Sequence, residues 1–412
     1  MKGSAKQGSV RIGVPLVTLL LAACGAGERT AAGPVVRDSA GITIVENRAP
    51  LWPESERWQI ASAPEVEIGV LEGEEPYQLM QVRGALRLSD GRIVVANSGT
   101  AELRYFDARG HFLMTAGRRG GGPGEFQFMG APFRTAGDSL LIADGSGTGR
   151  ISLFDPEGRF VRSYGQPAGR SAGALMGALT DGTVVRRTGI RQVAIPESGT
   201  SRDSLALVRY TTEGELVDTL ARLPGSERYR NVQPSGSSVE IMQRAAPFAR
   251  EQQVAISGDE IYTGAGDRYE VERYTPEGGL VRLIRIERPN RPVTSEIGEQ
   301  FRRSTLERAK DDNERRRVER FLAETTFPAT LPAYRALRLD GSGHLWVEDY
   351  RAPGEIQPRW SVFDPDGRWL GVVETPAGLE VMEIGSDYLL GVWKDELDVE
   401  HLRLYRIVKP RG

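Results

Sequence analysis

The sequence predicts an all-β chain folded as a six-bladed β-propeller with four-stranded blades. Three observations carry that prediction: a recurring grammar of short strands, one kind of acidic-glycine turn between them, and a last unit that lacks its outer strand. Ser89-Asp90-Gly91 precedes Ile93 to Asn97, then Leu103 to Asp107, the turn Ala108-Arg109-Gly110, and Phe112 to Gly117. Ala136-Gly137-Asp138 opens a matching unit through Leu140 to Asp144, Ile151 to Asp155, Pro156-Glu157-Gly158, and Phe160 to Gly165. The same order recurs around Asp181-Gly182 and Gly214, around Gly258-Asp259 and Gly278, and around Asp340 to Gly343 and Gly367. Runs of roughly 5 to 7 residues bounded by Gly, Asp and Pro are strands, and four of them per repeat make a propeller blade.

Six innermost strands can be counted, near Val82, Ala131, Ala174, Glu251, Ala333 and Leu379. The last unit ends at Val408 one strand short, and Glu65 to Gly69 is the expected replacement, an N-terminal strand that closes the ring on the C-terminal blade. Such closure removes two open sheet edges. Gly41 to Glu46 is a further strand outside or beneath the ring, and Gly225 to Ala249 an irregular linker. Within about 293–326, the spacing of Ile297, Phe301, Val318, Phe321 and Leu322 predicts one or two amphipathic helices, either a lid over the axial mouth or a spacer on the rim.

Composition bounds the function. Of 412 residues, 39% are hydrophobic and 26% charged, a globular balance. One cysteine rules out a disulfide framework or a cysteine-cluster metal site, and three histidines leave no three-histidine zinc centre. A net charge of -3 argues against a nucleic-acid partner.

The N-terminus is an address. Lys2, Lys6 and Arg11 precede an apolar run from Ile12 to Ala23, too short to span a bilayer. It ends in Leu21-Ala22-Ala23-Cys24, which resembles the bacterial lipobox, with Cys24 as the acylated residue. The expected organisation is a signal peptide over 1–23, a lipidated flexible tether over 24–37, and the propeller over 38–412. The mature chain would be held at a membrane outside the cytoplasm; Gly25, rather than an aspartate, resembles the outer-membrane pattern of Gram-negative lipoproteins.

Beyond the repeat itself, Gly117-Arg118-Arg119-Gly120-Gly121-Gly122-Pro123-Gly124-Glu125-Phe126 resembles the inter-blade loop of NHL propellers. The chain from Ile42 to Val408 is similar to bacterial six-bladed propeller lipoproteins of the NHL and TolB-like superfamily. That resemblance implies a fold shared by lactonases, lyases and pure binding platforms, so it selects no chemistry.

Loop lengths carry the functional clue. Turns after first and third strands are short, whereas connections after second and fourth strands hold every long segment, and these two sets emerge on opposite faces. Second strands reach the long-connection face at Asn97, Asp144, Arg187, Gly264, Glu348 and Trp393. Asn97, Asp144, Arg187 and Glu348 are candidate ligand-binding residues, beside Arg118 and Arg119, whose guanidinium groups suit a carboxylate or phosphate. The same positions have a plainer use, since Asn and Asp commonly hydrogen-bond their own loops. The expected function is an envelope scaffold that binds a small ligand, a peptide or a protein and needs no cofactor. The alternative is a calcium-dependent lactonase or hydrolase, with Asn97, Asp144 and Glu348 as the oxygen ligands that the family resemblance implies.

Overall fold

The computed structural model describes residues 1–3, 33–145, 149–165, 173–190, 198–235 and 238–410; Cys24 and the signal sequence lie outside them. Among the described residues, six sheets of four or more strands follow one another along the chain, besides one two-stranded ribbon. Sheet 1 comprises Val82–Arg87, Ile93–Asn97, Glu102–Phe106 and Phe112–Ala116, and sheet 2 Met129–Arg134, Leu140–Asp144, Ile151–Phe154 and Phe160–Tyr164. Sheet 3 comprises Ala174–Ala178, Val184–Gly189, Gly199–Tyr210, Leu216–Ser235 and Ser238–Ala245. Sheet 4 has Gln253–Ser257, Glu260–Gly264, Glu270–Tyr274 and Leu280–Ile286, and sheet 5 Tyr334–Leu339, Leu345–Asp349, Arg359–Phe363 and Trp369–Glu374. Sheet 6 has Glu380–Ile384, Tyr388–Lys394 and Glu400–Val408. Within each sheet these strands run antiparallel in chain order.

The first strand of each sheet neighbours the first strand of the next, and that of sheet 6 neighbours that of sheet 1. Apolar clusters fill the gaps between neighbours: Leu103, Tyr105, Phe126 and Phe154 between sheets 1 and 2, and Ile93, Val95, Leu390 and Leu402 between sheets 6 and 1. Trp346 and Trp360 occupy the gap between sheets 5 and 6. Each strand is therefore buried by neighbouring sheets rather than by one central core, the packing of a propeller-type architecture.

The N-terminal segment runs along the outside of three sheets. Ile42–Asn47 pairs in parallel with the outer strand of sheet 4, and Val35–Ser39 pairs with it in turn, so the expected tether is shorter than 24–37. The Leu51 and Trp52 N–H groups donate to Trp369 and Leu370 of sheet 5 at 3.0 and 2.7 Å. Val66–Ile68 then pairs with the C-terminal strand, Ile68 opposite Leu402, which is the pairing expected of Glu65 to Gly69; Gln59–Ile60 pairs with the same strand further along. Asn47, 1% exposed, ties this belt down: its Nδ2 donates to the carbonyls of Arg285 and Gly367, and its Oδ1 accepts from the Trp369 N–H at 2.8 Å. With these additions sheets 3, 4 and 6 carry more than four strands.

The short turns share one device. After the third strand, Asp107, Asp155 and Asp364 each accept two backbone N–H bonds, from Arg109 and His111, from Glu157 and Arg159, and from Asp366 and Arg368, all between 2.8 and 3.1 Å. Thr211 does the same with its hydroxyl. The glycine in each turn sits at positive φ, +75° at Gly158 and +83° at Gly367, where a side chain would be strained.

Residues 225–249 are not the irregular linker the sequence suggested. The fourth strand of sheet 3 continues through Ser235 and turns back as Ser238–Ala245, forming an arm beyond the sheet. Pro224 and Gly225 resemble a turn in sequence, but a register shift between Arg202 and Ser204 absorbs them as a bulge.

Candidate functional site

Second strands end, and fourth strands depart, on the long-connection face. Asn97 is buried and serves its own surroundings: Oδ1 accepts from the Met80 N–H at 2.7 Å and Nδ2 donates to Thr100 at 2.9 Å. Asp144 accepts from the Gln127 and Phe128 N–H groups, both at 3.2 Å, and pairs with Arg150 at 3.1 Å. Glu348, 7% exposed, faces Arg351 at 3.2 Å and Arg335 at 3.7 Å; burial pushes its carboxyl up against the pull of both arginines. Arg187 is half-buried opposite Ala174 in sheet 3. These residues share a face but belong to sheets 1, 2, 3 and 5, and among the described residues no group of three or more His, Cys, Asp or Glu is placed to hold a metal ion.

Arg118 and Arg119 lie in a two-residue parallel ribbon with Glu125–Phe126. The loop supplies its own anion. Glu125 pairs with Arg118 at 2.6 Å and accepts the Gly122 N–H at 2.8 Å, and those bonds hold its carboxyl below the usual range despite some desolvation. Arg119 donates to the Gly99 carbonyl at 2.8 Å. Phe126, fully buried, stacks on Phe154 with centroids 6.0 Å apart, so this loop wedges sheets 1 and 2 together.

The three histidines are structural partners of turn aspartates: His111 with Asp107 at 2.9 Å, His344 with Asp340 at 3.0 Å, and His401 with Asp395 at 3.3 Å. Arg159 and Arg368 take the equivalent place beside Asp155 and Asp364. A histidine at that position is thus one of two side chains that can brace the turn.

The predicted helices are present as α1 (Ser295–Glu307) and α2 (Asp312–Glu324), in the connection that leaves the fourth strand of sheet 4 on the long-connection face. Both are capped as the sequence dictates, Thr294 accepting from the Ile297 N–H and Asp311 from the Glu314 N–H. Their apolar stripe turns to the arm of sheet 3: Phe321 meets Tyr229 edge-on at 5.3 Å, and Tyr229 donates to Glu324 at 2.9 Å. Phe301 and Phe327 pack on Phe248. Sequence reasoning placed the helices but not their partner, because the arm was hidden behind Pro224-Gly225. Between arm and helices lies a cleft of about 770 Å³.

Exposed apolar side chains occur on both faces; Leu113, Val161, Leu216 and Val217, at 48, 53, 56 and 39% exposed, border the short turns. Phe128, Ile356 and Leu397, at 64, 73 and 70% exposed, all lie in long-face connections, as do Leu71 and Met80.

No family model matches the chain, and no curated protein sequence matches it. Among solved structures it is similar to a member of the DUF4221 family from Bacteroides vulgatus, at 10% identity over 87% of this chain and 100% of that one, with a TM-score of 0.47. It is also similar to a gluconolactonase of Xanthomonas campestris, at 13% identity, 80% and 87% coverage and a TM-score of 0.40. A virginiamycin B lyase of Staphylococcus aureus follows at 10% identity, 85% and 100% coverage and a TM-score of 0.40. Likenesses of this degree assign no activity to the chain.

Proposed function

We propose that this protein is a lipid-anchored, extracytoplasmic six-bladed β-propeller, closed by its N-terminal strand, that presents its long-connection face as a binding scaffold in the bacterial envelope. One observation carries the reading: the long connections, the arm, both helices and the exposed Phe128, Ile356 and Leu397 side chains share one face, while the other is mostly a repeated set of short, internally bonded turns. Rigid scaffolds concentrate recognition in this way, and exposed apolar groups collected on one face mark an interaction surface. The lipobox-like Leu21 to Cys24 supports the lipid anchor, and no described helix is long and apolar enough to cross a membrane. Loop N–H groups and arginines engage the oxygens of Asn97, Asp144 and Glu348, which favours a binding role over a calcium centre.

Metal analysis of the purified chain, with a calcium thermal-shift titration of wild type and Asp144→Ala, tests the reading. No stoichiometric metal and no calcium-dependent shift are expected. A tightly bound metal, or a calcium stabilisation lost in Asp144→Ala, would replace the scaffold with the hydrolase.

A further inference from the structure

Among the described residues, Ser238–Ala245 ends the strand order of sheet 3 and is paired on one side only, by the outer half of Leu216–Ser235. The two-residue connection between Ser235 and Ser238 fixes which backbone groups are spent. Pairs alternate from Ser235–Ser238, so Ile241 and Gln243 turn their N–H and C=O groups outward, away from the neighbouring strand. Val232, opposite Ile241, confirms the alternation, because its N–H and C=O reach the other way, to the Ser198 hydroxyl. At Gln243 to Ala245 the open edge borders the cleft of about 770 Å³, whose far wall is α1 and α2.

The cleft carries three guanidinium groups against two carboxylates. Its two acids are occupied by the start of α2: Asp311 accepts the Glu314 N–H and Glu314 accepts the Lys310 N–H, both at 2.8 Å. Its three guanidinium groups have no carboxylate partner among the described residues: Arg244 lies over the Phe321 ring at 4.8 Å, Arg308 donates to the Ser304 carbonyl, and Arg317 projects from an exposed position. Phe301, Val318 and Phe321 give the cleft an apolar floor. Natural proteins cover or charge a long open edge unless something pairs with it.

We infer that this cleft takes an extended acidic peptide segment, which adds as a further strand along Ser238–Ala245 with carboxylates directed at Arg244, Arg308 and Arg317. Main-chain bonds to Ile241 and Gln243 supply affinity, and the arginines and apolar floor select the sequence, as in other strand-addition sites. The inference rests on the long-connection face being the binding face and specifies its ligand; it does not depend on the lipid anchor.

The test is fluorescence anisotropy on the full chain in detergent, with a labelled octapeptide of alternating glutamate and valine. Saturable binding is expected, none with the lysine–valine counterpart, and none when alternate peptide nitrogens are methylated. Gln243→Pro removes one outward N–H without touching the existing ladder and, like Arg317→Glu, should weaken binding by about tenfold or more. Arg317→Lys should retain binding within about threefold. The absence of saturable binding overturns the inference, as does equal binding of the lysine peptide or of the methylated peptide. The methylated peptide keeps the test decisive even if Gln243→Pro fails to fold. Failure here, with partner contacts still mapping to the long-connection face, would remove the acidic peptide and leave the scaffold reading standing.

Discussion

The two faces of this molecule are built on opposite rules. On the short-turn face one solution is repeated: an aspartate or threonine accepts two backbone N–H groups, and a glycine at positive φ completes the turn. On the other face the described connections differ from one another, apart from the Asp395 turn, which accepts the Leu397 and Val399 N–H groups in the same way. One is a glycine-rich wedge, one a pair of helices, and sheet 3 extends into an arm. A repeated turn costs nothing in specificity and fixes the register of every sheet, which frees the opposite ends of the same strands to vary. The Arg118 to Phe126 loop joins the two faces' roles, since Phe126 fills the gap between sheets 1 and 2. The largest expected effect tests that point. Phe126→Ala should destabilise the fold by about 3–5 kcal/mol, read by denaturant unfolding, because it empties the gap between sheets 1 and 2.

On the short-turn face, Gly158→Ala should cost about 1–3 kcal/mol, since φ is +75° and a Cβ would stand 2.8 Å from the Met114 methyl. Asp364→Ala should cost about 1–2 kcal/mol by leaving the Asp366 and Arg368 N–H groups without their acceptor. Equal stability of these two variants and the wild type, measured by thermal and denaturant unfolding, would remove the scaffold role of the turns.

Sheet 5 carries both rules on one hairpin, and pH separates them. Burial raises the Asp340 carboxyl, but hydrogen bonds from His344 and Trp346 outweigh it and hold it below its ordinary value. Its stabilisation is therefore complete above an unfolded value near 4 and is lost as pH falls through the folded one. Asp340→Asn should lower Tm at pH 7, with the difference closing in acid. Glu348, at the other end of the next strand, is raised by burial, so its contribution is present below the unfolded value and is lost as pH rises through the folded one. Glu348→Gln should gain in Tm relative to wild type towards pH 7 and match it in acid. The opposite order in either profile would break the comparison.

The legible part of the molecule is the part that repeats. The acidic-glycine turns, the six first strands and the pairing of residues 66–68 with the C-terminal strand follow from local chemistry that recurs in the sequence. The arm was not legible, because Pro224-Gly225 has the composition of a turn and the bulge that accommodates it depends on Arg202 to Ser204, a strand away. Nor was the bonding of Asn97 and Asp144, since an acceptor that serves its own loop and one that serves a ligand have the same sequence signature; in the fold they accept from the Met80, Gln127 and Phe128 N–H groups. Asn47, which joins sheets 4 and 5, carried no sequence signal beyond a strand end.

The smallest stability effect belongs to the long-connection face. Phe128→Ser should change folding stability by less than about 0.5 kcal/mol, because the side chain is 64% exposed. The same position gives the most direct test of the account. A photo-crosslinking amino acid placed at Phe128 and Ile356 on the long-connection face, and at Leu113 and Val161 beside the short turns, compares exposed apolar positions on the two faces. Adducts confined to Phe128 and Ile356 are the predicted result. Adducts from Leu113 and Val161 alone, or equally from all four, would contradict the claim that the long-connection face is where this protein binds.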